Sequence, residues 1–275
     1  MTTTAAQTAP APAQTTERSL GNWLRNSLIL AGRQLGVTLS DVPTLIQIIA
    51  VPVVTMLLFK VVFGDVVGQA SGQDSVYGTV PLVVLVSAMF GSVASAVRLN
   101  NERRTGLLAR LHVLPINRGA ELTSRLLTEV LRVVVITVVL LAVGAAIGFR
   151  FTQGLLPALG LVLVAVLFGL MFSIVTLTLA INGKPGSPIV PIISLLSSLL
   201  MFFNSGFTPV DQYPKVLQPF VEHQPMTPAI NAMNHLATGG PVAGDLLTVL
   251  AWTVGAILVF TYPAVRGYRR AAVGR

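Results

Sequence analysis

The sequence predicts an all-α membrane protein with six transmembrane helices and both ends in the cytoplasm. Three observations predict it. Of 275 residues only 10% are charged and 53% are hydrophobic, with mean hydropathy +0.78; a soluble domain carries about 25% charge to wet its surface. Six apolar runs are each long enough to cross about 30 Å of hydrocarbon at about 1.5 Å per residue. The basic residues gather at alternate ends of those runs, as in membrane proteins that keep Lys and Arg on the cytoplasmic side.

Residues 1–17 are rich in Thr, Ala and Pro, with no apolar run and no early positive charge. They read as a disordered cytoplasmic tail rather than a signal peptide. Residues 18–42 form an amphipathic helix. Leu20, Trp23, Leu24, Leu28, Ala31 and Leu35 share one face, and Arg18, Asn22, Arg25 and Arg33 the other. Such a helix lies in the membrane interface or packs on a partner, and the two are compatible.

The bundle occupies 43–265, with spans at 43–63, 79–97, 130–149, 155–181, 188–207 and 246–265. Pro52 should kink the first span, and the long fourth span should tilt. Lys60 lies near the outer end of the first and can snorkel to the surface. Residues 266–275 are a basic cytoplasmic tail. With this topology the outer side keeps only Lys60, Arg150 and Lys215, so 15 of the 18 Lys and Arg fall inside.

Two connections carry more than a turn. On the inside, Leu107, Leu108, Leu111 and Leu114 recur at helical spacing among arginines, and an amphipathic helix in a loop needs a protein partner or the interface. On the outside, 208–245 contains Thr227-Pro228, an N-cap followed by proline in the first turn. Ile230, Met233 and Ala237 then form an apolar stripe, so a short helix covers or re-enters the outer face.

Several functions are excluded. Net charge is +8 and the pI about 10.8, but the basic residues follow the apolar runs rather than forming a nucleic-acid patch. Without cysteine there are no disulfides, thiolate metal sites or cysteine nucleophiles. Asn182-Gly183-Lys184-Pro185-Gly186-Ser187 has its glycines misplaced for a phosphate loop and reads as a tight turn. His112, His223 and His235 are scattered, so no catalytic, cofactor-binding or metal-ligating residue is assigned.

The deep parts of the six spans carry no ionisable residue. Glu129 and Arg132 stand at the inner end of the third span, three residues apart, where they pair as an interfacial anchor or a conformational lock. Gly144-x-x-x-Gly148 permits close helix packing. Ser173, Thr176, Thr178, Ser194, Ser197, Ser198, Asn204 and Ser205 either line a passage or hydrogen-bond helix to helix.

The stretch Glu102-Arg103-Arg104-Thr105-Gly106-Leu107-Leu108-Ala109-Arg110-Leu111-His112-Val113-Leu114-Pro115, followed by Arg118 and Arg125, resembles the cytoplasmic signature of ABC-2 type permeases. The order of elements matches that family over roughly 18–270. Gly148-Phe149-Arg150-Phe151-Thr152-Gln153-Gly154-Leu155, Gln218-Pro219-Phe220-Val221, His223-Gln224-Pro225, Gly239-Gly240-Pro241-Val242 and Gly267-Tyr268-Arg269-Arg270-Ala271 are similar to daunorubicin-resistance (Drr) type permeases of actinobacteria. The likeness is to the mycobacterial kind linked to export of phthiocerol dimycocerosate lipids.

The resemblance implies an ATP-driven exporter carrying a hydrophobic substrate, a complex lipid or an amphipathic drug, outward across the inner membrane. It implies two permease chains, the second a different homologous subunit, and two copies of a separate ATPase holding Mg-ATP. This chain would then be no enzyme and hold no cofactor. It further implies that 102–118 is a coupling helix meeting the ATPase through Glu102, Arg103, Arg104, Leu107, Leu108, Arg110 and Leu111. The alternative from another class, an intramembrane lipid-modifying enzyme, needs convergent polar groups within the membrane.

Overall fold

A computed structural model describes residues 20–71, 75–106, 120–150, 153–184 and 187–272. These residues form nine α-helices, one 3-10 turn at Val210–Gln212, and no strand. In chain order they are α1 Leu20–Ser40, α2 Val42–Ser71, α3 Val76–Arg104, α4 Ala120–Ala146, α5 Leu155–Asn182, α6 Ile189–Phe202, α7 Gln218–His223, α8 Met226–Thr238 and α9 Ala243–Ala272. Five are long and apolar enough to cross a membrane: α3, α4, α5, Leu45–Val62 of α2 and Ala243–Tyr268 of α9.

The run expected as a span at 188–207 is helical only over the 14 residues of α6. That is about 21 Å, short of the roughly 30 Å hydrocarbon thickness. Asn204 supplies the reason. Its Nδ2 donates to the carbonyls of Leu200 (3.1 Å) and Met201 (2.5 Å), and its Oδ1 accepts the amide of Gly206 (2.8 Å). A side chain that takes the last carbonyls competes with another helical turn.

α3 is the central helix. Val80 to Leu85 are consecutive and all buried, so its burial follows no one-sided stripe, as expected of a helix surrounded by protein. It packs against α2, α4, α5, α6 and α8, while α5 also holds α9. The stripe Ile230, Met233 and Ala237 of α8 is fully buried among α3, α5 and α9. The expected cap is corrected: α8 begins at Met226 behind Pro225, and the Thr227 hydroxyl accepts from Gln224 Nε2 at 3.4 Å inside the structure.

α1 docks along α4 through a narrow strip in which Ser27 and Ala31 are buried and Gln34 Nε2 donates to Ser124 (3.3 Å). Leu24 and Leu28, from the expected apolar face, stay more than half exposed. That face is therefore left for lipid or a partner.

Candidate functional site

Helix contacts define two ends. At the basic end meet the C-termini of α3, α5 and α9 and the N-terminus of α4; at the other end stand α7, α8 and the start of α9. Ionic side chains are found at both ends and, against expectation, in between.

Glu129 and Arg132 are not at the end of their helix. α4 starts at Ala120, ten residues before the expected span, which places Arg132 about 18 Å along it. Arg132 Nε and Nη2 donate to Glu129 Oε2 at 3.0 and 2.5 Å. The guanidinium also reaches across α3 to the carbonyls of Ser87 (3.4 Å) and Ala88 (3.3 Å), and Ser95 donates to Glu129 Oε1. Glu129 is 4% exposed. The pair faces α3 and so joins two helices.

The guanidinium fits because residue 91 is glycine. A Cβ there would coincide with Nη1, Cζ and Nη2 of Arg132. On the same seam Ser92 and Ser173 share a hydrogen bond of 2.8 Å between α3 and α5, and Thr176 donates to the carbonyl of Ser173 at 3.2 Å. Thr178 reaches Phe260 of α9 (3.2 Å), while Ser194, Ser197 and Ser198 bond carbonyls of their own helix. These hydroxyls do helix-to-helix and within-helix bonding.

Gly144 lies close against α3: a Cβ there would meet Val80 at 3.1 and 3.3 Å. Gly148 lies beyond the helix. α4 ends at Ala146, and Gly148 turns the chain at φ +116°, a conformation that favours glycine, while Phe149 N bonds back to Gly144 O (2.9 Å). Lys60 caps this end by donating to Ile147 O, so its ammonium serves the α4 C-terminus.

At the basic end, Arg125 of α4 is 6% exposed and pairs with Glu102 of α3 and with Glu121 at 3.0 Å. Tyr268 of α9 is buried in the field of the same three groups. Arg103 Nη1 donates to the carbonyls of Ala180 (2.8 Å) and Gly183 (3.0 Å), closing the C-terminus of α5. Arg104 is exposed. Leu107, Leu108, Arg110 and Leu111 lie outside the described residues.

The sequence offered one signal for this cluster, the four-residue spacing of Glu121 and Arg125. Nothing local pointed to Gly91 or Ser95, and Tyr268 stood out only within the family-like segment 267–271. His235 pairs with Asp245 (3.0 Å) and His223 contacts the carbonyl of Pro219 (2.9 Å); among the described residues no three His, Asp or Glu side chains converge as metal ligands.

An apolar cleft of about 930 Å³ separates α6 from α9, with α5 as its floor. Phe172, Trp252 and Phe260 line it, and Gly255 and Ala256 keep its α9 wall low.

A bundle of apolar helices braced by buried ion pairs defines a multi-pass membrane protein, and comparison with known proteins gives its family. The ABC-2 type transporter model matches residues 26–236. Over 250 residues the chain is 37% identical to the probable doxorubicin resistance ABC transporter permease protein DrrC of Mycobacterium tuberculosis, covering 91% of this chain and 90% of that protein. It is 27% identical over 225 residues to the daunorubicin resistance ABC transporter permease protein DrrB1 of Streptomyces coeruleorubidus, covering 82% and 79%. It is 26% identical over 196 residues to the doxorubicin resistance ABC transporter permease protein DrrB of M. tuberculosis, covering 69% and 68%. The chain belongs to the ABC-2 type transporter family, and its relatives are permease subunits.

Proposed function

We propose that this chain is one of two permease halves of an exporter in the inner membrane that moves a hydrophobic substrate outward. The observation that carries the reading is the family match over 26–236, most of the bundle. The substrate class is an amphipathic drug, by likeness to relatives named for doxorubicin and daunorubicin resistance, or a complex lipid such as phthiocerol dimycocerosate. The mainly apolar surface of α2, α6 and α9 suits a substrate that arrives from the bilayer.

The topology is N-in and C-in, with α6 and the α7–α8 hairpin together completing the sixth crossing. The basic end then faces the cytoplasm. There the 102–118 segment seats in a groove of the ATPase, leucines inward and arginines at its acidic rim. Two ATPase copies supply Mg-ATP hydrolysis, and the second permease is a homologous subunit, as the existence of both DrrB and DrrC relatives suggests.

Co-expression tests this. An ATPase subunit should co-purify with the chain, and the chain alone should neither bind nor hydrolyse ATP. Tight ATP binding by the isolated chain would refute the assignment.

A further inference from the structure

α3 ends at Arg104 and α4 begins at Ala120, so both roots of the proposed coupling segment belong to described helices. At those roots polar contacts tie four helices together. Arg125 joins α4 to Glu102 of α3, with Tyr268 of α9 buried beside them. Arg103 joins α3 to the last turn of α5 through two carbonyls. Asn182 of α5 donates to Pro263 O of α9 at 2.9 Å, and Gly267 lets α9 close on the side chains of Ile181 and Asn182, since a Cβ there would come within 2.7 Å of Ile181 Cγ2.

Among the described residues no ion pair or side-chain bond to another helix holds α6 at this end. It packs on α3, barely on α5, and the apolar cleft holds it away from α9. Its three serines bond carbonyls of their own helix. Ionic contacts in a low-dielectric surround resist separation, whereas apolar surfaces across a cleft open to lipid slide at little cost.

We propose that Arg125 and Arg103 lock the basic ends of α3, α4, α5 and α9 into one lever, so that force on the 102–118 segment moves these four helices together and relative to α6. Arg125 and Arg103 are then positioning residues for transport. The proposal rests on the reading of 102–118 as the ATPase contact.

The chain contains no cysteine, so introduced cysteines can carry spin labels at single sites. Val138→Cys on α4, Leu258→Cys on α9 and Leu195→Cys on α6 are all at exposed positions. Labelled pairs are measured by double electron–electron resonance in the complex with cysteine-free partner subunits in nanodiscs, before and after ATP–vanadate trapping. The 138–258 distance should stay fixed while the 195–258 distance shifts. Equal shifts in both pairs, or none in either, would overturn the lever.

In an Arg125→Gln background, which removes the charge that ties α4 to Glu102 of α3, the 138–258 distribution should broaden and become nucleotide-dependent with the ATPase still bound. A merely structural role would lower the thermal midpoint and leave that distance insensitive to nucleotide, which would also overturn the proposal. Failure of the ATPase to co-purify is a separate result: it removes the coupling reading itself.

Discussion

The Arg132 guanidinium occupies the space that a side chain at position 91 would take, so Gly91 and Arg132 fit each other like a notch and a bolt between α3 and α4. Neither makes sense without the other. Gly91 lowers one wall of α3, and Arg132 uses the gap to reach both Glu129 and the carbonyls of Ser87 and Ala88.

Gly91→Ala adds one methyl group that displaces the Arg132 guanidinium, and it should be costly because the displaced head gives up its bonds to Glu129, Ser87 and Ala88. Overpacking of a filled site destabilises by about 1–3 kcal/mol, and the thermal midpoint in detergent should fall accordingly. Gly255→Ala is the control, because a Cβ there meets nothing within 4 Å. A Gly91→Ala midpoint equal to that of the control would contradict the fit.

Removing Arg132 alone should be worse than removing the pair. Arg132→Met strands a buried carboxylate, a change that costs about 3–5 kcal/mol, whereas replacing both partners of a buried pair is often close to neutral. Unfolding of Arg132→Met, Glu129→Gln and the double variant forms a cycle. The double variant should recover most of the loss; additive losses would show that the two side chains act independently.

Coupling should depend on the leucines more than on the arginines. Leu108→Asp buries a charge in a surface that must become dry, at about 2–5 kcal/mol. Arg104 is exposed, and exposed ion pairs contribute about 0–1 kcal/mol. ATPase capture should thus be lost with Leu108→Asp and little changed with Arg104→Glu. Equal capture by both variants would remove the coupling role from this segment.

Sidedness has its own measurement. Thr105→Cys at the basic end and Lys215→Cys at the other are both exposed. In intact cells an impermeant thiol reagent should label Lys215→Cys and not Thr105→Cys. The opposite pattern would invert the topology.

Helix positions were legible in the sequence wherever apolar length alone decides them, as for α3 and α5. The end of α6 was not, because Asn204 stops the helix through bonds that only folding reveals. The start of α4 was not legible either. The first ten residues of α4 are mixed in polarity, so hydropathy placed the helix start at 130, and Glu129 and Arg132 stand within the helix rather than at its end. Glu102 opened the family-like stretch and Arg125 followed it, but they and Tyr268 stand on three different helices, and sequence spacing carries no signal of their meeting. Gly91 was invisible for the same reason.

The brevity of α6 sets a requirement on the proposed crossing. Fourteen helical residues rise about 21 Å, against the roughly 30 Å of hydrocarbon. The α7–α8 hairpin therefore has to supply the remaining height, and a shortened hairpin would leave lipid beside α6 to compress or tilt, at fractions of a kcal/mol per ångström of mismatch.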